Sequence, residues 1–113
     1  MNKEWKKKWI AALRSGEYKQ GRKVLRNSND EFCCLGVLCD LVVKEGKLEE
    51  PVLNTQGRYV YGCHTGLLPA LVVQAVELNS REGIYNVGSN SLTHDNDEGK
   101  TFLEIADIIE KNF

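Results

Sequence analysis

Proline and histidine are scarce in this chain, two of each in 113 residues. Neither sign of charge dominates: 15 Lys and Arg stand against 16 Asp and Glu, for a formal net charge of -1. That balance gives no support to bulk electrostatic binding of DNA or RNA. Long apolar runs are also missing. The longest, Phe32 to Val43, is about a dozen residues and contains Asp40, whereas a membrane span needs roughly 20. The first apolar stretch, Trp9 to Leu13, is too short and too quickly interrupted for a secretory leader. The chain therefore reads as soluble and cytoplasmic. It shows no internal repeat, low-complexity tract or linker, so one domain over residues 1–113 is expected. A hydrophobic content of 42% is enough for a modest core and excludes wholesale disorder.

What is present falls into recognisable segments. In "NKEWKKKWIAALRSG", Trp5, Trp9, Ile10 and Leu13 form one helical stripe, with Asn2 to cap the start and Gly16 to end it. Lys6, Lys7 and Lys8 lie largely off the stripe and read as a solvated face, with anion contact as the alternative. "NSND" is a turn cluster, so a small hairpin is expected with Lys23–Arg26 opposite Glu31–Cys33. Tyr18, Lys19, Gln20, Arg22, Lys23 and Arg26 make this the most basic and hydrogen-bond-rich region, either a polar binding surface or an ordinary exposed ribbon. "CCLGVLCDLVVKEG" is nearly continuously apolar. Its length favours a helix buried on more than one side, with Gly36 letting a neighbouring backbone approach closely.

Beyond it, "NTQG" predicts a second hairpin between Val52–Leu53 and Tyr59–Tyr61. "LLPALVVQAVELN" predicts a third helix, with Pro69 in its first turn and Asn79 at its end. Residues 80–99 are rich in Gly, Ser, Asn and Asp and read as irregular, with a short strand at Ile84–Val87. "TFLE" at 101–104 is a capping box, and Phe102, Ile105, Ala106, Ile109 and Phe113 continue it as an apolar stripe.

Four cysteines in a reducing cytosol are expected to be thiols. Their spacing is not that of a zinc knuckle, Cys63 and His64 are adjacent, and His94 stands alone, so no metal is expected. Cys33, Cys34 and Cys39 read as small buried hydrophobes. The competing reading is a nucleophilic Cys34 activated by its helix start and by His64 or His94. "HDNDEGKT" at 94–101 fails as a phosphate loop, because His94 occupies the place of the first glycine. It fails as a calcium loop, because Lys100 and Ala106 stand at positions six and twelve. It reads as an acidic turn entering the last helix. The free amides there could receive an anion, although Asp95, Asp97 and Glu98 would oppose one.

Taken together, "WIAALRSGEYKQGRKVLR", "FCCLGVLCDL", "LLPALV" and "DEGKTFLEIADIIE" resemble a widespread family of small bacteriophage and prophage proteins. That family's pattern is a tryptophan helix, a "QG…L" hairpin, a "CCLGVLCD" helix, an "LP" helix and a terminal "LND-G-(S/T)F-EIA" helix. The resemblance covers most of the chain. It departs where "THDND" replaces "LND" and where the "LP" helix lacks a tryptophan. Most members have no assigned activity, so no catalytic role is implied. The resemblance implies a setting in which small phage proteins act by binding, many of them against host immunity.

The expected fold is a single α+β domain of about four helices with short antiparallel β-hairpins. The expected function is an accessory binding protein that antagonises a host antiviral defence, by sequestering a nucleotide second messenger. Arg22, Lys23, Arg26 and Lys100 would hold its phosphates, with Gln20 as a further polar contact and Tyr18 or Tyr61 stacking on a base. No cofactor is expected, and a homo-oligomer would enclose the ligand between subunits. The alternatives are a protein–protein inhibitor of a host defence enzyme, a small thiol- or metal-dependent enzyme, and a nucleic-acid-binding regulator using the lysine face.

Overall fold

Helix α1 (Lys3–Arg14) buries Trp5, Trp9, Ile10 and Leu13 along one stripe and packs mainly against the last helix, and also against the central one. Asn2 caps it, its side-chain oxygen accepting from the Glu4 and Trp5 amides. The central helix α2 (Cys34–Lys44) is enclosed on several sides, with Cys34 through Cys39 all buried. The Trp9 indole donates to the Cys34 carbonyl at 2.9 Å, fastening α1 to the first turn of α2. The structure is a computed structural model and describes all residues, 1–113. No helix in it is long and apolar enough to cross a membrane.

Chain order adds strands β1 (Lys19–Gln20) and β2 (Glu31–Phe32) before α2. After it come β3 (Val52–Leu53), β4 (Tyr59–Val60), α3 (Ala70–Val76), β5 (Ile84–Tyr85), β6 (Asn90–Ser91), α4 (Leu92–Asp97) and α5 (Phe102–Asn112). One core of 25 buried residues runs through α1, α2, α4 and α5 and reaches Leu25, Tyr61 and Val72. The fold is α+β in one small domain, with a fifth, short helix beyond the four expected.

The ladders are two residues long, and two of the three are antiparallel. The third corrects the first expected hairpin: β1 pairs with β2 in parallel, Lys19 with Glu31 and Gln20 with Phe32. Of the pairing expected for Lys23–Arg26, only an antiparallel bridge between Arg26 and Phe32 remains. Lys23 has φ 68, which no strand permits. The turn that follows is closed by Asn27, whose side-chain oxygen accepts from the Asn29 and Glu31 amides. An Asn27–Arg58 bridge joins this region to the β3–β4 hairpin.

That hairpin turns as expected, with the Asn54 oxygen accepting from the Gln56 and Arg58 amides. Helix α3 is shorter than expected. Pro69 precedes it, and Glu77 ends it in a left-handed conformation at φ 59, two residues before Asn79. Strand β5 stops at Tyr85 because Asn86 and Val87 turn with φ 56 and 55. Gly36 does what its position suggested: a Cβ there would lie 1.7 Å from the Leu25 carbonyl oxygen.

Candidate functional site

The segment Gln20–Lys23 leaves β1 and runs along the corner where α4 gives way to α5. Asn96, fully buried on α4, organises the contact. Its oxygen accepts from the Gln20 side-chain amide at 2.9 Å and from the Cys34 backbone amide at 3.2 Å, and its nitrogen donates to the Gly21 carbonyl at 2.9 Å. Gln20 donates also to the Lys100 carbonyl, and its own oxygen accepts from the Phe102 amide at the start of α5. Asp97 accepts from the Lys23 amide at 2.8 Å. Gly99, at φ 101, leaves room for the Arg22 guanidinium, since a Cβ there would sit 3.2 Å from Arg22 Nη2.

Arg22, Lys23 and Lys100 are exposed at this corner, and no carboxylate oxygen lies within 4.0 Å of any of their charged nitrogens. Two acids stand at the same corner. Asp97 takes the Lys23 amide, and Glu98 Oε1 lies 3.9 Å from His94 Nε2. The arrangement is a cationic corner on a hydrogen-bonded frame, which spares an anion the cost of ordering the backbone beneath it.

Four of the seven expected ligand residues meet here, but Gln20 does so as part of the frame. Both ends of its amide are spent on protein groups, so its role is structural. The Phe102 amide that could have donated to an anion already donates to the Gln20 side-chain oxygen, and Glu104 and Thr101 complete the capping box.

Tyr18, Arg26 and Tyr61 lie away from these cations, and for Tyr61 the expected stacking on a base is corrected by its burial. Tyr18 meets Phe32 edge-on at 5.1 Å, donates to Asp40 and receives Lys44, whose ammonium also lies 5.4 Å from the ring centroid. Burial and the Asp40 hydrogen bond push its phenol up. Arg26 lies 4.0 Å over the Tyr59 ring and 5.0 Å from that of Phe32, and two of its nitrogens donate to Asp30 Oδ1. Tyr61 has no exposed surface, so its ring cannot stack on a base. Its hydroxyl is buried without a hydrogen-bond partner, and burial drives its pKa up against the opposing pull of Arg26.

Nothing in the interior forms a nucleophile–base pair. The Cys34 thiol donates to the Leu92 carbonyl at 3.7 Å and meets no imidazole. Burial raises Cys33 to about 11 and holds Cys34 and Cys39 well above the ordinary thiol range. Only Cys63 is exposed. No three His, Cys, Asp or Glu side chains gather at metal-ligand spacing.

The molecule has three clefts, none of them lined by Arg22, Lys23 or Lys100. The largest, about 400 Å³, is on β6 and α4 beside His94; one of about 330 Å³ lies between Leu48, Gly62 and Leu71. The third, about 290 Å³, is between the β5–β6 turn and the two chain ends. Asn96 and Gly99 were missed as site-building residues because their contacts lie 62 or more positions away in the chain.

Residues 1–113 match the description "Domain of unknown function (DUF8296)". The chain belongs to that family. No curated protein and no solved structure matches it. Membership thus covers the whole chain, and the cationic corner and its frame lie within the matched region.

Proposed function

We propose that this chain is a small non-catalytic binding protein that receives an anionic, nucleotide-type ligand on the Arg22–Lys23–Lys100 corner. One observation carries the reading: three exposed cations without carboxylate partners stand on a backbone pinned by five hydrogen bonds to or from Gln20, Asn96 and Asp97. Arginine offers a planar fork to phosphate and lysine a mobile point charge. The phage-family resemblance supplies the biological setting, in which withholding a nucleotide signal would blunt a host antiviral defence. None of the clefts is lined by these three cations, so a homo-oligomer would have to close over the ligand.

Titration calorimetry against a panel of linear and cyclic nucleotides tests the reading. One of them is expected to bind, and Arg22→Gln together with Lys100→Gln is expected to weaken it at least ~10-fold, about 1.4 kcal/mol, with an unchanged melting temperature. Absence of nucleotide binding at low salt would sink it.

A second reading, a protein–protein inhibitor of a host enzyme, is favoured by a different surface. Val52, Leu53 and Leu71 are 69%, 47% and 61% exposed, and the Leu48–Leu71 cleft borders Leu71. Retention of a host protein by wild type but not by Leu53→Asp or Leu71→Asp, with no nucleotide bound, would replace the first reading.

A further inference from the structure

Arg81 is half-buried just before β5, and no carboxylate oxygen lies within 4.0 Å of its guanidinium. Its side chain is nonetheless fixed. Nε donates to the Leu68 carbonyl at 2.8 Å, while the Arg81 carbonyl accepts from the Leu68 amide at 3.1 Å. Nη2 lies 2.8 Å from His64 Nδ1 and 3.0 Å from Nε2. His64 is itself held by paired backbone hydrogen bonds with Tyr61, across a two-residue turn in which Gly62 and Cys63 have φ 50 and 76.

A guanidinium carries five N–H donors. Leu68 and the imidazole take one each, which leaves three with no protein acceptor. Nη1 has no protein partner and is not sealed from solvent, so the open side of a fork already held in place can engage an oxyanion. The turn that carries His64 also docks beside the cationic corner: the Leu25 amide donates to the Thr65 carbonyl at 2.7 Å, and a Cβ at Gly66 would lie 3.7 Å from the Lys23 carbonyl.

We infer that Arg81, oriented by His64 and the Leu68 carbonyl, is a second oxyanion receptor that takes a phosphate group. Its identification as part of a nucleotide site rests on the function proposed above; the receptor itself does not. Binding is non-covalent, through paired N–H donors to two phosphate oxygens.

The test follows the Arg81 Nε–Hε and His64 ring signals by NMR while inorganic phosphate is added to the wild-type protein. A saturable shift is expected, absent with equal ionic strength of chloride. It should persist in Arg22→Gln/Lys100→Gln, and weaken at least ~5-fold in Arg81→Lys, which keeps the charge but loses the fork. A nucleoside diphosphate in place of phosphate separates the two sources. Tighter binding that falls to the phosphate level in the corner double variant assigns one ligand to both sites; equal binding assigns free phosphate to Arg81. No saturable shift in the wild type, or the same shift with chloride, overturns the receptor while leaving nucleotide binding at the corner to its own test. The wild-type titration decides the matter even if Arg81→Lys fails to fold.

Discussion

Gln20 and Asn96 are joined side chain to side chain at 2.9 Å across 76 positions of the chain. Through this pair, β1, the start of α2, and the corner between α4 and α5 share one hydrogen-bond network. Asn96 is fully buried, and so is the Cys34 amide that donates to it, which would have no water to fall back on. Asn96→Ala would strand the Gly21 carbonyl and the Cys34 amide and leave a small void. The expected loss is about 3 kcal/mol, measured by urea denaturation. Gln20→Ala should cost less, about 1–2 kcal/mol, and the double variant should fall short of the sum because the two share a bond.

Gly36→Ala is expected to be among the most damaging single changes in the chain. Its methyl group would lie 1.7 Å from the Leu25 carbonyl oxygen and 2.6 Å from the carbonyl carbon, both backbone atoms that cannot swing aside. The helix must shift or Leu25 must leave it. A loss of about 3 kcal/mol or more is expected in denaturant titration, although alanine is the better helix former. A neutral result would mean that the backbone at Leu25 does not ride on α2.

The buried thiols should weaken the fold at alkaline pH. Burial raises Cys33 from 9.0 to about 11 and raises Cys34 and Cys39 further in the same direction. The folded state therefore keeps protons that the unfolded chain gives up. The contribution is complete below pH 9 and is lost as pH rises from 9 toward the folded values. All three thiols act in the same direction, so stability should fall steadily across that window. Urea titrations under reducing conditions at pH 8, 9 and 10 measure it. Intact-mass analysis after brief alkylation at pH 8 should show one adduct, on exposed Cys63.

Tyr61→Phe should stabilise the protein or leave it unchanged, with an upper gain of about 1 kcal/mol in thermal denaturation. The change removes a fully buried hydroxyl that has no hydrogen-bond partner and keeps the ring. Destabilisation would show that the nearby Arg26 guanidinium draws on that oxygen.

The helices that the sequence made legible are those whose signals are local. Trp5, Trp9 and Leu13 repeat at helical spacing, Thr101 and Glu104 form both halves of a capping box, and Asn2 caps α1, all as the residues suggested. Helix α4 was not legible. Six residues, "LTHDND", carry no stripe, and the helix is held by the Ser91 cap, by Asp95 receiving the Tyr85 hydroxyl, and by Asn96. The parallel β1–β2 pair is equally silent, because two residues have no period. At the site, the cations could be picked by type. The frame could not, because a glutamine that ties down a backbone and one that meets a ligand look alike until their partners are known. Tyr61 follows two half-exposed strand residues, and only the fold around it closes its surface.

Cys33, Cys34 and Cys39 are sealed while the chain is folded, and they come free together when it opens. In air, each opened copy can oxidise or cross-link before it closes again, and it then drops out of the refoldable pool. Heating without reductant should therefore report a lifetime that varies with scan rate, and the reversible transition should return once the sulfur is kept reduced.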